Sequence, residues 1–305
     1  MQHAEVMLVG SANVDLVVRT HRFPLPGETV LGSTFQTFAG GKGANQATAV
    51  SKLGGKCGLI AKIGVDRFGD QLLESLRSSR VDISRVLRDA DNPTGIAMIT
   101  VDDAGQNTIV AAPGANALVL PEEVKLGLST VEFNVLLTQL EIPLESVMAV
   151  SKHAEGKVFI LNPAPARRIP DELLARVDYL TPNETEAQVL TGVLPVDDAS
   201  CLEAAGLLLE RGAKNILFTL GPKGSYLVNR HGGRHFPSIA VKAIDTTAAG
   251  DAFNGALAHF LANGEDVERA ILLANVAGAL CTTKPGAQAA MPKLSEVLTR
   301  FKDSY

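Results

Sequence analysis

Short, continuously apolar runs alternate along this chain with longer stretches whose apolar residues recur every three or four positions. Val6–Val9, Leu59–Ile63, Val135–Leu140, Val158–Leu161, Tyr179–Leu180, Ile216–Leu220 and Tyr226–Val228 read as strands. Between them lie helical patterns. Asp66–Ser78 follows Gly64 and carries Phe68, Leu72, Leu73 and Leu76 at helical spacing. Leu144–Ala154, Glu184–Leu190, Ala199–Arg211, Asp251–Ala262 and Val267–Thr282 follow the same rule, and a further helix ends at Gly54-Gly55. Most of the strands are apolar throughout rather than alternating, as a parallel sheet covered on both faces requires. The pattern predicts an α/β fold: a three-layer αβα sandwich around a mostly parallel central sheet.

Two segments break the rhythm. Residues from about 12 to 38 are rich in Gly, Pro and β-formers and contain no helical pattern. Residues from about 93 to 112 place two β-runs around the turn Asp102-Asp103-Ala104-Gly105, which predicts a hairpin. The expectation is one domain over residues 1–305, with these segments inserted in it as a small second sheet.

Composition narrows the class. The chain is 46% apolar and 20% charged, with 28 Gly and no Trp, which points to a globular protein with an aliphatic core and many tight turns. A net charge of -5 excludes a surface built to grip nucleic acid, but leaves room for a small anion at a local positive site. Cys57, Cys201 and Cys281 lie far apart with no CxxC spacing, as in a reduced cytoplasmic protein. Met1–Glu5 lacks a signal-peptide pattern, and the apolar stretch 270–281 is interrupted by Asn275 and too short to cross a membrane.

In a parallel sheet, ligands sit beyond the carboxyl ends of the strands. Four predicted strands in series end in polar or Gly-rich residues: Glu141, Asn162-Pro163, Thr181-Pro182-Asn183 with Glu186, and Gly221-Pro222-Lys223-Gly224. Two clusters stand out besides. Gly40-Gly41-Lys42-Gly43-Ala44-Asn45-Gln46 opens a helix with glycines that let backbone N–H groups approach an anion or a hydroxyl. It is not a Walker A loop, since Gly43 replaces the Ser or Thr, and not GxGxxG, since Gln46 takes the third glycine's place. Ala248-Ala249-Gly250 opens a second helix, and its N–H groups with the helix dipole would form an anion hole. Asp251 in the first turn would stay ionised there and accept a hydroxyl proton. His231 and His235 stand four apart, but Gly232-Gly233 between them predicts a turn and no metal site.

These motifs, in this order and spacing, closely resemble the ribokinase family of phosphofructokinase-B type sugar kinases across essentially the whole chain. The carriers are Gly40–Ala47, Asn162-Pro163-Ala164-Pro165-Ala166, Asn183-x-x-Glu186 and Asp245–Phe253. The resemblance implies ATP-dependent phosphorylation of a primary sugar hydroxyl, the 5-position of ribose in its namesake members. Related members act on deoxyribose, other sugars or nucleosides, and a non-catalytic sensor on the same scaffold is the reading from another class. Asp251 matches the base, and Ala248, Ala249 and Gly250 match the anion hole. Asn13, Asp15, Gly41, Lys42, Gly43, Asn45 and Glu141 match sugar ligands. Asn183 and Glu186 match the element serving Mg²⁺ and phosphates. Thr219, Gly221, Lys223 and Gly224 match the nucleotide loop, and Asn275 matches an adenine-side position. Asp245, Thr247, Cys281, Lys284 and Gly286 match the ligands of a monovalent cation, K⁺, with Ala290 where a Ser hydroxyl would complete the shell. The resemblance also implies a β lid over the sugar and homodimers formed through the lids.

Overall fold

A computed structural model describes residues 2–305. The first half runs β1 (Gln2–His3), β2 (Val6–Val9), β3 (Asn13–Thr20), β4 (Gly32–Gly40), α1 (Lys42–Lys52), β5 (Cys57–Gly64), α2 (Arg67–Ser78), β6 (Asp82–Asp89), β7 (Gly95–Val101) and β8 (Asn107–Ala112). Next come α3 (Pro121–Ser129), β9 (Val131–Glu132), β10 (Val135–Thr138), α4 (Leu144–Ser151), β11 (Val158–Leu161), α5 (Asp171–Leu174), β12 (Tyr179–Leu180), α6 (Glu184–Thr191) and α7 (Asp198–Glu210). The chain closes with β13 (Asn215–Thr219), β14 (Ser225–Asn229), β15 (Gly232–Phe236), α8 (Ala249–Ala262), α9 (Val267–Cys281) and α10 (Leu294–Ser304).

Nine strands form the central sheet in the order β15-β14-β13-β12-β11-β10-β2-β5-β6. All neighbours from β13 to β6 are parallel, while β14 and β15 pair antiparallel at one edge. Alternate residues of one strand feed opposite cores: Val6 and Leu8 pack with α1, α8 and α9, whereas Met7 and Val9 pack with α3, α4 and α7. This double burial is why the strands are apolar throughout, and it confirms the three-layer expectation. The short pair β1–β9 stands apart from it.

A separate four-stranded sheet, ordered β4-β3-β7-β8, is built from the two irregular segments. β7 and β8 form the expected hairpin. Asp66 ties this sheet to the body. One carboxylate oxygen caps α2 by accepting the Gly69 N–H at 2.8 Å, and the other accepts the Thr94 N–H at 2.8 Å, just before β7.

Some expected boundaries change. The run Val135–Leu140 is strand only to Thr138, because its neighbours β2 and β11 end in register at Val9 and Leu161 and offer no partner beyond. Leu144–Ala154 stops as a helix at Ser151, whose hydroxyl bonds back to the Met148 carbonyl. The helix expected from Asp251 begins at Ala249. Strands β6 and β15 and helices α3, α5 and α10 had no counterpart in the sequence reading. β6 is a charged edge strand, and a register shift against β5 between Gly58 and Ile60 breaks its two-residue alternation. The three cysteines are buried and unpaired. Among the described residues no helix is long and apolar enough to cross a membrane.

Candidate active site

Helix α1 starts where β4 ends, so the chain must reverse within a residue. Gly41 does this at φ 86°, and any Cβ there would lie 2.6 Å from the Asn13 nitrogen. The new helix end is then capped from a distance. One Glu141 carboxylate oxygen accepts the Lys42 N–H at 3.1 Å and the Ser11 hydroxyl at 2.5 Å. The Lys42 N–H is thus held by Glu141. Glu141 lies three residues past β10 and reaches α1 because parallel strands end side by side.

Helix α8 packs against α1 at unusually close range. Gly255 permits it, since a Cβ there would meet the Ala49 methyl at 2.6 Å. The approach carries Asp251 into contact with two successive amides of α1. Asn45 donates to its Oδ2 at 2.9 Å and Gln46 to its Oδ1 at 2.9 Å. Ala248, ahead of the helix, adopts a left-handed conformation at φ 60°. The first N–H groups of α8 lack intrahelical acceptors, and together with the helix dipole they favour a negative group at this end.

A cleft of about 170 Å³ lies in front of this turn. Lys42, Asn183, Glu186, Thr219, the Ala248–Gly250 turn and Asp251 line it. Thus the two glycine-rich motifs and two of the polar strand ends share one space. A larger groove of about 800 Å³ lies elsewhere, between α1, α2 and residues 287–295.

Charge in the cleft is concentrated and opposed. Burial alone would lower the Lys42 ammonium pKa, but Asp251, Glu141, Glu186 and Asp15 outweigh it and raise it. Asp15 is pushed up to about 7 by burial and by Glu141 and Asp251. Burial also raises Asp251, against the pull of Lys42 and the amides of Asn45 and Gln46. The expectation that the helix end simply keeps Asp251 ionised is therefore incomplete, because desolvation wins. A raised carboxylate pKa brings a base closer to neutral pH, where proton transfer is most effective.

Asn13 begins β3, and its Oδ1 accepts from the Nδ2 of Asn116 at 2.6 Å. Asn116 also brackets Ala12, accepting its N–H and donating to its carbonyl. It thereby fixes which end of the Asn13 amide is the oxygen. Sequence reasoning missed Asn116, which lies in a short turn after β8 with no motif around it. It also passed over Gln46 and Gln139, although both stand within or beside the residues it quoted.

On the other side of the cleft, Asn183 and Glu186 cap α6 reciprocally: Asn183 Oδ1 accepts the Glu186 N–H at 2.8 Å, and Glu186 Oε2 accepts the Asn183 N–H at 3.0 Å. Burial raises the Glu186 pKa. Gly221–Lys223 form a single turn after β13, and the Lys223 ammonium reaches the Val196 carbonyl. Gly224 backs onto Phe236 and Ser238. The Asn275 amide donates to the carbonyls of Phe236 and Pro237, so it fastens this wall from behind.

The loops ahead of α8 and after α9 are laced together. Asp245 accepts the N–H groups of Thr247 and Gly286, each at 2.9 Å. Burial would raise its pKa, but these hydrogen bonds outweigh burial and hold it below the usual value. The Cys281 thiol lies 3.8 Å from the Thr247 carbonyl. Lys284 joins the loop only through its backbone, as its side chain pairs with Glu296 at the surface. No cluster of His, Cys, Asp and Glu suited to a metal occurs among the described residues, and His231 lies in a turn while His235 continues into β15.

A carboxylate and a lysine facing a helix start, beside a small second sheet and at the strand ends of an α/β body, define a group-transfer enzyme for a small polar ligand. The pattern of the pfkB family carbohydrate kinases matches residues 3–294, and the chain belongs to that family. It is 39% identical over 300 residues to the ribokinase of Staphylococcus aureus, covering 96% of this chain and 98% of that protein. It is 35% identical over 297 residues to the deoxyribokinase of Salmonella typhimurium, covering 96% and 97% of the two chains. Among solved structures it is similar to Arabidopsis thaliana ribokinase complexed with ribose and ATP, with a TM-score of 0.88, 34% identity and 99% of each chain covered.

Proposed function

We propose that this chain transfers the γ-phosphoryl group of ATP to the 5-hydroxyl of D-ribose, giving ribose 5-phosphate and ADP. The observation that carries this reading is the Asp251 carboxylate, held by two amides at the start of α8 and facing the cleft shared by both motifs. In this reading Asp251 takes the hydroxyl proton, the freed oxygen attacks the γ-phosphorus, and the bond to ADP breaks. Ala248, Ala249 and Gly250 form the anion hole for the charge that spreads over the phosphoryl oxygens, in which the Ala249 N–H, bonded to the Thr246 carbonyl at 3.3 Å, must turn to take part. Asn13, Asp15, Gly41, Lys42, Gly43, Asn45 and Glu141 bind the sugar. Such a mixture suits a polyol, whose hydroxyls each donate to one group and accept from another.

Thr219, Gly221, Lys223 and Gly224 form the nucleotide side, and Asn275, which holds the Phe236 and Pro237 carbonyls, lies on its adenine side. Glu186 spends one carboxylate oxygen on Asn183, which leaves the other for Mg²⁺ or its water. One carboxylate is a normal share for an ion held mainly by phosphates, and Mg²⁺ would neutralise phosphate charge as it shifts. The Asp245, Thr247, Cys281, Lys284 and Gly286 loops offer a carboxylate and carbonyl oxygens, a set of hard donors that fits K⁺. Ala290, wholly buried, brings no oxygen to that shell, so K⁺ should bind more weakly than with a Ser there.

The whole chain acts as one cytoplasmic catalytic unit whose lid segments, about 12–38 and 93–112, close over the sugar and exclude water. The lid carries exposed Leu31, Phe35, Met98, Ile109 and Val110, with Leu31 90% accessible. A second copy of this lid is the natural cover for such a surface. Sedimentation velocity is expected to show a dimer, and a monomer at micromolar concentration would remove the lid interface.

The test of substrate is ADP release with a panel of pentoses, deoxyribose, hexoses and nucleosides, run with and without K⁺. Ribose is expected to give the highest kcat/KM, and K⁺ to raise it. Preference for deoxyribose, the second reading favoured by the Salmonella relative, or for a nucleoside would sink the ribose assignment and leave the kinase standing.

A further inference from the structure

A chain of buried amides reaches Asp251 from the edge of the cleft, where Asn162 joins Lys42 in the lining. Its members are Thr181, Asn162, Gln46 and Gln139, all between 0% and 6% exposed. The chain starts at a group whose polarity is fixed. The Thr181 carbonyl can only accept, and it takes a hydrogen bond from Asn162 Nδ2 at 3.2 Å. That turns Asn162 Oδ1 toward Gln46. An amide oxygen also only accepts, so Gln46 must present Nε2, and the distance is 3.1 Å. The second hydrogen on the same nitrogen reaches Asp251 Oδ1 at 2.9 Å. Gln46 Oε1 then points back and accepts from Gln139 Nε2 at 2.5 Å. A flipped Gln46 would set its oxygen against two acceptors and its nitrogen against a donor.

We propose that Gln46, locked by Gln139 and Asn162, is a positioning residue that fixes the rotation of the Asp251 carboxylate and stabilises its charged form. Gln46 lies behind Asp251, one oxygen of which it occupies. Asn45 occupies the other from the same helix, so the plane of the carboxylate is set by two adjacent residues of α1. A base held this way offers its remaining lone pairs in one direction only. That lowers the entropy lost in reaching the reactive geometry.

Other groups act on the same carboxylate from each neighbouring element. Lys42 of α1 favours its ionised form; Glu141 after β10, Asp15 of β3 and Glu186 of α6 oppose it. Cys281 at the end of α9 also senses its charge. None of these is removed by changing Gln46, so the effect of the amide can be read separately. The sign is clear: a donor to the charged carboxylate lowers its pKa, and its removal raises it.

The inference rests on the reading of Asp251 as the base, and the experiment separates the two. Gln46→Met keeps the length and removes both donors. The acid limb of its kcat against pH is expected to move up by about one unit, the scale of one hydrogen bond to a charged group. At neutral pH kcat should fall about tenfold or more, while KM for the sugar changes less than about threefold. Gln139→Met, which leaves the donors but removes the hydrogen bond on the Gln46 oxygen, should give a smaller change of the same kind. The ¹³C carboxyl signal of Asp251, recognised by its loss in Asp251→Asn, is titrated in the sugar-free proteins. It should show the same upward shift whatever the enzyme phosphorylates. If the wild type phosphorylates no sugar, the functional reading fails and this titration still decides the pair. An unshifted Asp251 signal in either folded variant, or a fall in kcat with an unmoved acid limb, overturns the proposal and leaves the glutamines as packing.

Discussion

Asp251→Asn is expected to lower kcat by about 10²–10⁴-fold, the usual contribution of a positioned general base, with little change in sugar affinity. The substitution keeps the shape of the side chain and removes only its ability to take a proton. Gln46 still donates to the one amide oxygen, and Asn45, whose Oδ1 has no partner, turns to accept from the new N–H₂, so the site should not collapse. Stability should not suffer either, because a buried carboxylate is exchanged for a neutral group and its desolvation cost disappears. The measurement is ADP release at saturating ribose and ATP, set beside calorimetric sugar binding. Turnover within about tenfold of wild type would take Asp251 out of the proton transfer.

Gly41→Ala should be the most damaging single-methyl change near the site. The residue holds φ at 86°, where a side chain costs about 1–2 kcal/mol. The added Cβ would also sit 2.6 Å from the Asn13 nitrogen and 2.7 Å from the Ala12 Cα, both backbone atoms that cannot swing away. Overpacking of this kind costs a further ~1–3 kcal/mol. The sum predicts a fall in Tm of about 3–8 °C. Because the displaced backbone carries Asn13, kcat/KM for the sugar should fall at least about tenfold even in the folded fraction. Gly54→Ala is the control. Its φ of 91° is equally left-handed, but nothing lies within 4 Å of the new methyl, so it isolates the strain. Equal losses from the two variants would mean that the close approach at Gly41 is unimportant.

The body of the fold was legible wherever burial was two-sided. Val158–Leu161 and Val6–Val9 were placed to the residue, because strands covered on both faces have no polar positions to blur their ends. Legibility failed where one side met water. β6 is an edge strand with Ser, Arg and Asp among its apolar residues and a register shift against its neighbour, so neither periodicity survives. α10 does carry Leu294, Val297, Leu298 and Phe301 at helical spacing and could have been found. In the site, residues in the glycine-rich motifs announced themselves, since glycines before a helix have a recognisable purpose. Asn116, Gln139 and Ser11 did not. Each acts through contacts far away in sequence, and a lone amide or hydroxyl has no local signature.

By itself, the sequence determined the layer order, the two segments of the small second sheet and the helix starts that can face an anion, because these follow from local periodicity and from where glycine is required. Only the tertiary structure decided that α1 and α8 touch, that Glu141 caps a helix about a hundred residues earlier in the chain, and that burial outweighs the helix dipole at Asp251. Those outcomes depend on distances between segments remote in the chain. Desolvation and hydrogen bonding fall off within a few ångströms, so they take their values only after the chain has closed.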